Sequence, residues 1–143
     1  MAKTTAGVID PTVTVTLTAN QIKALKGTPI ELVPAPGAGY YINFLSATFT
    51  LDFGTTPYSG TGNQFVFAPA LNDGEAGSQC PDSILAQSAN CVGQAWGTTY
   101  FGAHGLLASI ENQALIFTQN GADEYADGDG ELTVVCQYTV VQI

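Results

Sequence analysis

The sequence predicts an all-β fold, a β-sandwich or jelly roll of about seven or eight strands with one or two short helices. Three observations carry this expectation. Several runs alternate apolar and polar residues with a period of two, Gly and Pro clusters interrupt each run, and helical periodicity is confined to one or two short stretches. At 143 residues the chain suits one hydrophobic core, read as an N-terminal arm over residues 1–11 and a single β-sandwich domain over residues 12–143.

In the first run Val13, Val15 and Leu17 face one way, and Thr12, Thr14, Thr16 and Thr18 the other, as in a half-buried strand. Thr18 followed by Gln21 forms a capping box, Ile22 and Leu25 give a short apolar face, and Gly27 stands as the stop, so a helix of about two turns fits. Lys23 and Lys26 then complement the negative end of the helix dipole. A second strand spans Ile30 to Val33 and ends at the Pro34 to Gly39 connection. In the long run from Tyr40 to Phe53 the odd positions Tyr41, Leu45, Ala47, Phe49, Leu51 and Phe53 read as one face. Further strands are expected at residues 63–68, 92–101, 113–118 and 131–143, while Pro81 to Asn90 reads as a second short helix or an excursion. Along the last strand Leu132, Val134, Cys136, Tyr138 and Val140 share a face, which makes Cys136 a small buried hydrophobe.

Charge narrows the function classes. The chain has three Lys, no Arg, twelve Asp and Glu and a formal net charge of −9, and no cation follows Lys26. Phosphate clamps and nucleic-acid grooves are built mainly from guanidinium and ammonium groups, so nucleic acid is excluded as a partner. Only 10% of residues are charged, against roughly 25% in ordinary soluble domains, which leaves a surface rich in hydroxyls that docks against protein with few ions to desolvate. The opening Met-Ala-Lys-Thr-Thr-Ala-Gly has no apolar core of a signal peptide, and no run of eighteen apolar residues occurs, so synthesis in a cytoplasm without membrane insertion is expected. Cys80, Cys91 and Cys136 form no Cys-x-x-Cys pair; Cys80 and Cys91 flank a short segment and could close a loop in an oxidising medium.

Asp123, Glu124, Asp127, Asp129 and Glu131 crowd into nine residues, and Asp123, Asp127 and Asp129 are the metal candidates. An EF-hand counted from Asp123 puts Tyr125 at its third position and Val134 at its twelfth, so two ligands fail; the competing reading is a solvated turn before the last strand. An acid pair for glycoside hydrolysis needs a separation that sequence does not give. His104, in Phe101-Gly102-Ala103-His104-Gly105, is the single histidine and stands near no Gly-x-Ser-x-Gly elbow. Gly37-Ala38-Gly39 lacks the Lys and helix of a phosphate loop. Tyr40, Tyr41, Tyr58, Trp96 and Tyr100 either line a sugar-binding face or fill a core or interface. No catalytic residue and no cofactor is expected.

The stretch Leu17-Thr18-Ala19-Asn20-Gln21-Ile22-Lys23-Ala24-Leu25, with Thr28-Pro29 and Leu32-Val33-Pro34-Ala35-Pro36-Gly37-Ala38-Gly39, resembles the opening of a group of small tailed-bacteriophage virion proteins. Asn112-Gln113-Ala114-Leu115, the turn Gly128 to Gly130, Leu132-Thr133-Val134 and Tyr138-Thr139-Val140 are similar to their close. Residues 55–110 show no such likeness. Within that group the chain is read as a capsid decoration (cement) protein. The resemblance implies a β-sandwich or jelly roll, a homotrimer, a major capsid protein as partner, and a place on the outer surface of the head. Ala2, Lys3, Thr4, Thr5 and Val8 of the arm are the capsid-contact candidates. A receptor-binding module at the tail tip or fibre is the alternative, and an acid-pair glycoside hydrolase a third.

Overall fold

The computed structural model describes residues 11–70, 78–96 and 110–143. Among these residues ten strands, all paired antiparallel, follow in chain order: β1 (Thr12–Leu17), β2 (Ile30–Val33), β3 (Tyr40–Asp52), β4 (Tyr58–Ser59), β5 (Gln64–Pro69), β6 (Ser78–Pro81), β7 (Cys91–Trp96), β8 (Leu115–Gln119), β9 (Ala126–Asp127) and β10 (Glu131–Gln142). The order is β1-β10-β3-β7 in one sheet and β2-β8-β5-β6 in the other, with β4 and β9 as a separate two-stranded ribbon. Setting that ribbon aside, the first principal strand pairs with the last, the second with the seventh, the third with the sixth and the fourth with the fifth. A long antiparallel ribbon wound in this way is a jelly roll, so the topology decides between the two architectures expected from sequence.

Helix α1 (Ala19–Lys23) begins as the capping box requires. Gln21 N–H donates to Thr18 Oγ1 (3.4 Å), and Thr18 N–H to Gln21 Oε1 (3.0 Å). The helix is one residue longer than a turn, and the chain continues in turns to Gly27 while still burying Ile22 and Leu25 completely. Pro81 to Asn90 contains a 3₁₀ turn, Ser83–Ala86, which buries Leu85.

Between the sheets Phe49, Phe65, Phe67 and Phe117 form the centre of the core. Phe117 lies 5.0 Å from the rings of both Phe65 and Phe67, and Phe44 stacks on Phe67 at 4.3 Å. Phe44 corrects the expected face of β3. The register against β10 slips between Gln137↔Ser46 and Tyr138↔Phe44, so Leu45 is an extra residue in β3. Such a bulge reverses the inward parity. Ile42 and Phe44 therefore pack on the core in place of Tyr41 and Leu45, and Ala47, Phe49 and Leu51 continue as expected. β10 keeps its phase through Tyr138, and Cys136 is fully buried. Val140, expected on the same inner face, is half exposed.

The outer side of the second sheet is also dry at Val66, Ala68 and Ile116, so β5 and β8 are apolar on both faces. All three thiols are free. Burial pushes the Cys80 and Cys136 thiols up to about 12, with the nearby Asp82 adding to the shift of Cys80; burial also raises Cys91. Cys91 is the only one of the three that is partly exposed.

Two measurements check this core. Phe117→Ala removes the ring that bridges Phe65 and Phe67 and is expected to cost about 3–5 kcal/mol in chemical denaturation. In the native protein an aromatic disulfide reagent should titrate Cys91 first, with Cys80 and Cys136 reacting only once the chain unfolds; equal rates for all three would contradict the packing.

Candidate functional site

Successive strands run antiparallel, so the connections alternate between two ends of the sandwich. One end collects the connections β1–β2, β3–β5, β6–β7 and β8–β10. There the carboxylates are used to hold backbone. Asp82, fully buried, accepts from Gly62 N–H (2.9 Å) and Asn63 N–H (3.1 Å) through Oδ1 and from the Tyr125 hydroxyl (2.8 Å) through Oδ2. Glu124 reaches α1's C-terminal turns, with Gly27 N–H on Oε1 (2.9 Å) and Lys26 N–H on Oε2 (3.1 Å). Asp129 takes the Thr55 hydroxyl (2.6 Å) on Oδ2 and the Thr55 and Thr56 N–H groups (2.8 and 2.9 Å) on Oδ1. That Thr55 hydroxyl, with the two backbone donors, holds the Asp129 carboxyl down to about 2.

Asp129 is engaged by Thr55 and Thr56, Asp127 accepts from the Ser59 hydroxyl, and the Asp123 carbonyl accepts from Gln119 Nε2 (2.7 Å). Among the described residues no three His, Cys, Asp or Glu side chains come together as a cation site. The two lysines expected to offset the helix dipole instead cross to the β8–β10 connection, where Lys23 Nζ donates to Asp127 O (2.8 Å) and Lys26 Nζ to Ala122 O. Gly128 is indispensable in this turn. Its φ is +25°, and a Cβ there would fall 2.1 Å from the Tyr58 ring. Tyr58 is buried, its hydroxyl donating to Gly130 O (2.6 Å), and burial, with Asp129 and Glu131 nearby, pushes its phenol up to about 12. It is therefore a core residue and not part of a sugar platform.

The outer face of the β1-β10-β3-β7 sheet has the opposite character. Register places Thr16, Thr133, Thr50 and Val92 in one row, Thr14, Val135, Thr48 and Gln94 in the next, and Thr12, Gln137, Ser46 and Trp96 in the third. Thr16 and Thr133 share a hydroxyl hydrogen bond (3.0 Å), and the Ser46 hydroxyl donates to Gln137 Oε1 (2.9 Å). None of the twelve residues is ionisable. Val92 is 77% exposed and Trp96 68% exposed, the most exposed of the large hydrophobic side chains among the described residues. On the inward side of β7, Gly93 leaves an open groove of about 410 Å³ lined by Phe49, Ile84, Cys91 and Gln94, among others.

Charge is therefore polarised along the strands. Asp52, Asp82, Asp123, Glu124, Asp127, Asp129 and Glu131 lie at the end just described; Glu31 and Glu111 are the other described carboxylates. The opposite end holds Pro11, whose carbonyl accepts from Tyr138 N–H (3.1 Å), and Gly39, whose carbonyl accepts from Ile143 N–H (2.9 Å). The arm residues Ala2, Lys3, Thr4, Thr5 and Val8 lie outside the described residues, as do Tyr100 and His104. Tyr40 and Tyr41 stand at the start of β3, near this second end, with Tyr40 38% exposed. Sequence reading missed Asp82 and the pairing of Trp96 with an exposed Val92 on one side of β7. The signal for the latter was available, since Val92 and Trp96 alternate with the small residues Cys91, Gly93 and Ala95.

No protein-family model and no curated protein matches the chain. A search of solved structures finds a similar chain in the capsid asymmetric unit of cyanophage Pam1, at 14% sequence identity and a TM-score of 0.48, covering 89% of this chain and 80% of that one. Among the described residues no helix is long and apolar enough to cross a membrane.

The hydrogen bonds of Asp129 set a pH dependence. Its carboxyl is depressed in the folded chain, so the stability it contributes is present above the ordinary carboxylate range and is lost as pH falls from about 4 through about 2. Asp129→Asn should lower the unfolding midpoint at neutral pH, and the wild-type and variant midpoints should converge as pH approaches about 2. Parallel curves across that range would remove Asp129 from the loop's stability.

Proposed function

We propose that this protein is a capsid decoration protein, a non-enzymatic structural component that binds the outer surface of a tailed-phage head as a homotrimer and stabilises it against the major capsid protein. The observation that carries the reading is the polarity of the sandwich: carboxylates gather at one end, and the arm joins at the other. Docking by the acidic end would desolvate many charges at once, whereas among the described residues the end at Pro11 carries Glu111 alone, its Oε1 accepting from Gly39 N–H (2.7 Å). The resemblance of both chain ends to small phage virion proteins supports the same reading. The arm, residues 1–11, then reaches toward the shell with Ala2, Lys3, Thr4, Thr5 and Val8 as contacts and adds a strand to a capsid-protein edge. Three arms per trimer raise the effective concentration of each contact, so individually weak docking gives stable occupancy.

Sedimentation of the purified protein with empty heads of the encoding virus tests this. Copies per head should saturate in simple ratio to the capsomers. Removal of residues 2–11 should abolish binding while leaving the circular dichroism and thermal unfolding of the sandwich unchanged. Undiminished occupancy by the truncated chain would overturn the arm's role, and an absence of binding by the full chain would overturn the shell as partner.

A further inference from the structure

The two sheets treat their edges differently. In the second sheet both edge strands are four residues long and guarded: β2 carries the exposed Glu31 and is followed by Pro34, and β6 ends in Pro81. In the first sheet the edges β1 and β7 are each six residues long, with sequences TVTVTL and CVGQAW. Neither contains a charge or a register shift in its pairing, and Pro11, just before β1, turns its backbone to β10 and so removes no donor from the open edge. An unguarded edge of this kind is a template for another strand, and folded proteins ordinarily suppress it.

The direction of the unpaired groups follows from one hydrogen bond. Tyr138 N–H donates to Pro11 O, which makes Pro11 and Tyr138 a hydrogen-bonded pair in the β1·β10 ladder. Such pairs alternate with non-bonded ones. Val13, Val15 and Leu17 therefore turn their backbone groups to β10, and Thr12, Thr14 and Thr16 turn theirs away from the sheet. Carrying the alternation across β10 and β3 through the stated registers makes Cys91, Gly93 and Ala95 the β7 residues bonded to β3. Val92, Gln94 and Trp96 then face outward from the other edge. Among the described residues the three N–H and three C=O groups at each edge have no backbone partner.

We infer that the β7 edge of one copy pairs with the β1 edge of a second copy of this chain, head to tail. Four antiparallel strands give β1 and β7 opposite directions, so copies standing with the same polarity around an axis along the strands meet antiparallel at every junction and close a ring. The partner is a second copy because both edges and the three rows of the sheet face between them carry no charge in a chain of net charge −9, Glu131 and Asp52 lying one row beyond. Two acidic molecules meet there without opposing carboxylates, which sit at the end of the strands. The arriving Val13 and Val15, half-buried in the single chain, project to the inner side of β7, where Gly93 leaves the groove beside Phe49 and Ile84. The exposed Val92 and Trp96 are covered along the outer side.

This inference goes beyond the shell reading and is tested without shells: an absence of shell binding leaves it standing, and a folded variant that keeps the wild-type assembly removes the edge pairing alone, whereas a monomeric wild type also removes the trimer of that reading. Thr14→Pro and Gln94→Pro each delete one outward N–H while sparing the bonds to β10 and β3. Circular dichroism checks that each variant folds; where one does not, Thr16→Pro or Val92→Pro replaces it at the same edge. In analytical ultracentrifugation the wild type should sediment as a closed oligomer and each variant as a monomer. An equimolar mixture should give a one-to-one heterodimer and nothing larger, since it restores a single intact junction. A monomeric wild type, a folded variant that keeps the wild-type assembly, or a variant that dimerises by itself through a two-fold edge contact would each overturn the head-to-tail pairing.

Discussion

A carboxylate sealed from water must find its donors inside the protein or unfold the region around it, and Asp82 is placed under that constraint. Its two oxygens collect the backbone N–H groups of Gly62 and Asn63 and the hydroxyl of Tyr125, so one side chain ties the β3–β5, β6–β7 and β8–β10 connections together. Tyr125 in turn sets its ring edge-on to Phe65 at 6.4 Å, which joins the polar knot to the aromatic core. Burial and hydrogen bonding to Asp82 raise the Tyr125 phenol well above the ordinary tyrosine range, so it stays a donor. The two sheets are wedged on the Phe cluster, and the wedge is closed at one end by this arrangement.

Much of the fold was legible in the sequence because its strands are half-buried and alternate. β1, β2 and β10 are found close to their expected limits, and the Thr18 to Gln21 capping box fixed the start of α1. What was missed has physical causes. β4 and β9 are two residues each, too short for any periodicity, and exist because Asp127 and Ser59 meet across the chain. β6 is a strand by pairing with β5, not by pattern. The bulge at Leu45 cannot be seen in a run apolar at both parities, since only the register against β10 reveals which residue is surplus.

The candidate surface was less legible than the fold. A cluster of acids draws attention in a sequence as a metal or catalytic site, yet at Asp129 and Glu124 it proves to be a set of acceptors for neighbouring backbone. Conversely, hydroxyls and amides spread over four strands make no motif at all, and they become one uncharged face only when the register aligns Thr16, Thr133, Thr50 and Val92. The sugar-platform reading failed at Tyr58 for the same reason: sequence gives the number of aromatic rings but not the side of the sheet on which each one falls.

Because the loops are fastened by carboxylates on N–H and hydroxyl groups, and by lysines on carbonyls, their cross-links do not consist of exposed ion pairs. Exposed ion pairs weaken as ionic strength rises, whereas a hydrogen bond between a charge and a fixed backbone dipole depends more on short-range geometry. Among the described residues the loop fastenings are therefore expected to respond less to added salt than a set of exposed ion pairs would, in a chain that has no arginine to form them.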